Sequence, residues 1–174
     1  MVIRRASCEE DVLAAAHIYD EIHTEEEAGR TVIGWARGVY PTERDARSSF
    51  GKDELFVMEC DGEIVASAKI NREQVDVYAD ASWSVDAPAD KVMVLHTLTV
   101  SPRYAGKGLG AAFVRFYEDY AMENGCPYLR IDTNERNANA RRLYKKLGYT
   151  EVGVVPCVFN GISGVSLVCL EKNL

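Results

Sequence analysis

The sequence predicts an α/β protein built on a mixed sheet with flanking helices, and three observations carry that prediction. Two Asx-Gly dipeptides, Asp61-Gly62 and Asn160-Gly161, each join a pair of apolar runs, the strongest short signal for an antiparallel hairpin. The run VMVLHTLTV passes through RYAGKGLG into AAFVRFYEDYAMENG and then YLRID, which reads as strand, turn, helix and strand in succession. Helical and strand periods alternate over the rest of the chain, as layers of helix on sheet require.

Each element has its own local reason. Ser7 and Glu10 are spaced as a capping box before DVLAAAHIYDEIH, predicting a first helix from about Glu9 to Thr24. Thr42 and Asp45, after Pro41, cap a second short helix ending near Gly51. LFVMEC and EIVASAKI follow as antiparallel neighbours joined at Asp61-Gly62. Between Glu73 and Asp90 comes a long loop with five acidic residues and no Lys or Arg, carrying Tyr78 and Trp83. Such a loop can receive a cationic amine by charge attraction and cation–π contact; it also fits a solvated loop with one aromatic tucked into the core. VMVLHTLTV is a third long strand, and a helix from roughly Leu109 to Asn124 is closed by Gly125 before the short strand YLRID. ANARRLYKKL has Asn137 and Asn139 in N-cap range and Gly148 as its stop, after which EVGVVPCVF and VSLVCL form a closing hairpin.

Composition narrows the function classes. The 174 residues suit one domain spanning 1–174, and 47% hydrophobic with 27% charged content is that of a globular chain. No apolar stretch approaches the ~20 residues of a membrane span, and MVIRRASCEED carries no apolar signal core, so a cytoplasmic protein with no membrane partner is expected. Five widely spaced cysteines without a C-x-x-C pair argue for buried thiols and against a disulfide scaffold or a metal site. The net charge is −7, yet residues 101–150 hold nine Lys/Arg against five Asp/Glu. An acidic protein with one basic island is a poor nucleic-acid binder and a good host for a small phosphorylated ligand, although a solvated helix face would have the same charges.

RYAGKGLG, residues 103–110, sits in that island. Its glycines permit positive φ and close approach of a ligand to the main chain, and a helix beginning there turns free N–H groups toward an anion. The Walker spacing is absent. Gly106, Gly108 and Ala111 do satisfy the dinucleotide pattern G-x-G-x-x-A, with Asp132 where a ribose-binding carboxylate would sit. Against that, SPRYA separates the strand end from the first glycine, and the chain closes with a hairpin where further βα units should follow.

At these residues the sequence resembles the GCN5-related N-acetyltransferases. The family signature R/Q-x-x-G-x-G/A is matched by Arg103, Gly106 and Gly108 after LTVSP, and N-x-x-A-x-x-L-Y-x-x-x-G-[FY] by Asn137, Ala140, Leu143, Tyr144, Gly148 and Tyr149. The resemblance implies a mostly antiparallel sheet splayed at its middle, with acetyl-CoA lying between VLHTLTV and YLRID. Main-chain groups of Leu98, Thr99 and Val100 would pair with the pantetheine arm as an added strand does. The segment Arg103, Tyr104, Ala105, Gly106, Lys107, Gly108, Leu109 and Gly110 would hold the pyrophosphate, with charge from Arg103 and Lys107. Asn137 and Ala140 would border the arm, and no metal is required.

The resemblance also implies roles in the chemistry. Tyr144 becomes a general acid near the sulfur, whereas periodicity alone places it on an apolar helix face with Ala140, Leu143 and Leu147. His96, on the strand lining the cofactor, is the expected base, with a hydrogen-bonded structural role as its alternative. Trp35, Tyr40, Trp83 and Phe159 are candidates to shape the acceptor pocket. The expected activity is acetyl transfer from acetyl-CoA to a primary amine of a small molecule or peptide by direct attack in a ternary complex. A non-catalytic acyl-CoA-binding module and an NAD(P)-dependent oxidoreductase are the alternatives. Dimerisation through the terminal strands is a further implication of the resemblance.

Overall fold

The computed structural model describes residues 1–174. Its strands are β1 (Val2–Arg5), β2 (Leu55–Cys60), β3 (Glu63–Asn71), β4 (Val92–Val100), β5 (Tyr128–Asn134), β6 (Thr150–Phe159) and β7 (Ile162–Asn173). Its helices are α1 (Glu9–Glu27), α2 (Glu43–Phe50), α3 (Leu109–Glu123) and α4 (Ala138–Lys146). The strands form one sheet in the order β1-β2-β3-β4-β5-β7-β6, and every neighbouring pair is antiparallel except β4 with β5. No helix is long and apolar enough to cross a membrane.

The predicted hairpins form for the predicted reason. Asp61 and Gly62 have φ of 52° and 82°, and Asn160 and Gly161 have 48° and 85°, the left-handed pair that a two-residue turn needs to match strand twist. Thr42 and Asp45 make the expected reciprocal cap of α2. The start of α1 differs. Its N-cap is Cys8, and the Ser7 N–H donates to Asp11 at 2.8 Å, so the carboxylate one residue beyond Glu10 closes the turn. Asp11 is selected because it is buried and also accepts Arg4 at 2.7 Å, which holds its carboxyl below the usual range. β1 was absent from the expected elements; at four residues it is too short to show an alternating pattern. Pro156 is tolerated in β6 because β6 is an edge strand.

Alternation along the strands builds two cores. On one face Met93, Leu95, Leu129 and Ile131 meet Phe113, Val114 and Tyr117 of α3. Each fully buried large apolar side chain there contributes about 1.5–3 kcal/mol. On the other face α1 and α2 cover the first strands through Val12, Ala15, Tyr19, Ala46 and Leu55, while residues 72–91 cover β4 and β7 through Tyr78, Val92, Val94 and Cys169. The acidic loop therefore folds back on the sheet. Its Trp83 packs against Tyr78 at 5.1 Å between ring centres, beneath the Arg130 guanidinium at 4.0 Å, so that its cation partner belongs to the protein itself.

Candidate active site

The parallel pairing of β4 with β5 runs from Val92/Tyr128 to Leu95/Ile131 and stops. Beyond it β4 bends at a bulge opposite Ser67 and Lys69, where Thr97 takes a φ of 51°. The edge of β4 facing β5 thus has no strand partner from His96 to Val100. The opened seam holds a cavity of about 400 Å³, lined among others by Leu98, Thr99, Val100, Asp132, Asn137 and Tyr144. Ala105 and Ala140 also line it.

The glycine segment closes one end. Gly106 and Gly108 both have φ of 77°, and a Cβ added at either would meet nothing within 4 Å. The consecutive N–H groups of Gly106, Lys107, Gly108, Leu109, Gly110 and Ala111 donate to no acceptor in the protein, the first intrahelical bond being Ala112 N–H to Gly108. These groups and the positive end of the α3 dipole form a cradle for a phosphate. Gly110 has an additional cause: a Cβ there would lie 3.3 Å from Leu143, so glycine lets α3 approach α4. Lys107 is exposed, its ammonium 4.5 Å over the Tyr104 ring. Arg103 is committed elsewhere, to Glu21 at 2.7 Å and Glu63 at 2.6 Å, and Tyr104 donates to Glu63. Only the main chain of Arg103 and Tyr104 is available to the cradle.

Two ionisable side chains meet in the seam. Tyr144 is 5% exposed and lines the cavity. Burial, aided by the charge of Asp132, pushes its phenol well up. Asp132 follows the last residue of β5 that pairs with β4 and accepts the Tyr78 hydroxyl at 2.7 Å. Burial raises its carboxyl to about 6, against the opposing effect of that hydrogen bond. Asn137 caps α4 by accepting the Ala140 N–H at 3.1 Å, which leaves its amide nitrogen for the cavity.

Comparison with known proteins decides the family. The Acetyltransferase (GNAT) family model matches residues 16–149. The chain belongs to the GNAT family. An uncharacterised N-acetyltransferase of Methanocaldococcus jannaschii is 28% identical over 104 residues, which are 60% of this chain and 42% of that one, so the chain spans less than half of this relative's length. A GNAT-family acetyltransferase from Streptococcus agalactiae superposes with a TM-score of 0.83 at 22% identity, over 99% of this chain and 95% of the other. The protein yncA of Salmonella typhimurium, solved with its cofactor acetyl-CoA, superposes with a TM-score of 0.72 at 21% identity, over 100% and 94%.

Within this GNAT chain the dinucleotide reading fails. The sheet has one parallel pair, not the parallel array that the fingerprint serves, and Asp132 turns to Tyr78 rather than to the glycine loop. His96 lies apart from Tyr144. It lines a second cavity of about 200 Å³ on the α1 and α2 side of the sheet, and its Nε2 is bonded to Asn71 at 3.0 Å. Burial, with Lys69 nearby, lowers its pKa to about 4 and keeps the ring neutral. Trp35, Tyr40 and Phe159 do line the main cavity, with Tyr40 edge-on to both others at 6.0 and 5.6 Å; Trp83 does not. In the sequence Asp132 stands out only at the ribose position of the dinucleotide pattern, and its burial beside Tyr78 is visible only in the fold.

Proposed function

We propose that this chain transfers the acetyl group of acetyl-CoA to an amine by direct attack in a ternary complex, with Tyr144 as proton donor and Asp132 as proton acceptor. The observation that carries this reading is that both residues line one cavity, at the open edge of β4 and beside the free N–H groups of the glycine loop.

The residues present fit acetyl-CoA. The N–H groups from Gly106 to Ala111 suit its pyrophosphate, and the unpaired edge of β4 at Leu98 and Val100 suits the amides of its arm, with Asn137 able to donate to the same arm. Bound acetyl-CoA supplies an acyl carbon activated as a thioester and a sulfur leaving group. Tyr144 keeps its proton at neutral pH and can release it to the departing sulfur. Asp132 is ionised at neutral pH and is a stronger base than an ordinary aspartate, so it can take the proton from the attacking nitrogen. His96, expected from sequence as the base, is a weaker one at about 4 and is better placed as a neutral wall of the second cavity.

Thermal unfolding with acetyl-CoA, CoA and NAD(P)H tests the cofactor; a ligand at ~100 times its Kd adds roughly 2.7 kcal/mol. A rise with the two CoA species only, followed by thiol release with an amine panel, is the expected result. No rise with acetyl-CoA would overturn the reading, and a rise without turnover of any amine would leave a non-catalytic acyl-CoA-binding module.

A further inference from the structure

The second cavity adjoins the first: Tyr40, Thr97, Asp132 and Phe159 line both. A molecule within it would therefore reach Asp132 from the side opposite α3 and α4. At about 200 Å³ it lies below the roughly 300–1,000 Å³ of pockets for drug-sized ligands.

Its polar groups have a particular balance. Tyr19 is 4% exposed and lines the cavity, with its hydroxyl beside that of Ser67. The neighbouring Ser67 hydroxyl is already paired with Thr99 at 2.8 Å. A phenol oxygen beside a hydroxyl keeps a lone pair that can accept an N–H from a ligand. Lys69 is paired with Glu73 at 3.1 Å and has a second carboxylate, Glu54, at 3.7 Å, and His96 is neutral. Among the lining groups, Asp45 and Asp132 are carboxylates without a cation partner. Asp45 spends one oxygen on the Thr42 N–H and hydroxyl, at 2.8 and 2.7 Å, and keeps the other. Both carboxylates line this one small cavity together with Tyr40.

We infer that this cavity receives the acceptor and fits a small aliphatic amine carrying a second protonated amino group, the reacting nitrogen at Asp132 and the other at Asp45 beside the Tyr19 hydroxyl. This rests on the acetyl transfer proposed above. A lone ammonium satisfies one carboxylate and leaves the other unpaired, whereas a diamine satisfies both and gives the Tyr19 oxygen an N–H to accept.

The full chain tests this with 1,4-diaminobutane, n-pentylamine and a tripeptide with a free N-terminus. Thiol release gives kcat/KM for each, and thermal unfolding in saturating CoA gives binding independently of turnover. The diamine should exceed n-pentylamine by at least about tenfold, the worth of one partly screened charge pair. Asp45→Asn keeps an oxygen for the α2 cap and should abolish that preference by raising the diamine KM; Asp45→Glu should restore part of it. Tyr19→Phe should reduce it, and Asp119→Asn, on the exposed side of α3, should leave it intact. Equal kcat/KM for the amines, the tripeptide as best acceptor, or a preference surviving Asp45→Asn would overturn the inference while leaving acetyl transfer standing. A diamine-specific rise in Tm with no turnover would uphold the cavity and overturn the transfer. Neither turnover nor a rise would overturn both.

Discussion

Asp132 and Tyr144 face one cavity from opposite sides of the sheet, and the charge of the first raises the pKa of the second. Asp132 lies on the side of the 72–91 segment, bonded to Tyr78, while Tyr144 belongs to the core beneath α3. The open seam lets them share a space that a closed sheet would divide. An ionised Asp132 favours a protonated Tyr144, so the two protonation states that acyl transfer requires support each other.

Tyr144→Phe should lower kcat by at least ~10-fold while leaving the fold intact, since it keeps the ring in the core and removes only the oxygen at the cavity. Single-turnover thiol release and thermal unfolding would measure the two effects. A folded variant with wild-type kcat would remove Tyr144 from proton transfer.

Asp132 should set the acidic limb of the kcat/KM profile near pH 6. The groups facing it are the phenols of Tyr78, Tyr40 and Tyr144 and the thiols of Cys157 and Cys169, with no cation in contact, so burial dominates. Because its folded pKa exceeds the unfolded one, the folded state holds the extra proton between about pH 4 and 6, and stability is lost as pH rises through that window. Asp132→Asn should therefore abolish the limb and raise stability at pH 7.5 by on the order of 2 kcal/mol, with the gain vanishing near pH 4. A profile unchanged by the substitution would return the base to another group.

Gly108→Ala places a Cβ in open space but in the left-handed region, at a cost of about 1–2 kcal/mol. Relaxation of that strain would re-aim the N–H groups beside it. Isothermal titration should show the CoA Kd rising roughly tenfold, as when one charge-assisted hydrogen bond is lost. Unaltered CoA affinity in a destabilised variant would locate the phosphates elsewhere.

Arg103→Ala separates the side chain from the main chain at the same motif position. With its guanidinium paired to Glu21 and Glu63 at a largely exposed site, the change should leave the Tm close to that of the parent. The KM for acetyl-CoA should stay within about twofold. A large rise in KM would mean that Arg103 leaves its carboxylates for the phosphate.

What could be read from the sequence was what a few adjacent residues decide. Asp61-Gly62 and Asn160-Gly161 specify their turns through φ alone, and Thr42 with Asp45 specifies the α2 cap by spacing. Gly106 and Gly108 showed through the same local freedom where the main chain leaves its N–H groups open. Groupings between distant segments were not legible. Arg103 read as a phosphate ligand because nothing local reveals Glu21 and Glu63 beside it. His96 read as a base because its strand was right, but it shares the face of Val92 and Val94, while the bulge at Thr97 turns Leu98 and Val100 to the other one. Asp132 is distinguished only by its burial against Tyr78, 54 positions away.

The seam also divides the polypeptide. β1 through β4 form a meander in which each strand bonds to the one before it in the chain, and β5, β7 and β6 form a second unit after α3. Across the boundary the backbone is stitched by a few parallel rungs ending at Leu95 and Ile131. The hairpins β2–β3 and β6–β7 are the short-range pairings, whereas β1 with β2 and β4 with β5 close across intervening helices, so the hairpins are expected to form before the boundary zips. A ligand lying along β4 would extend that zipper, joining catalytic occupancy to the mechanical cohesion of the whole molecule.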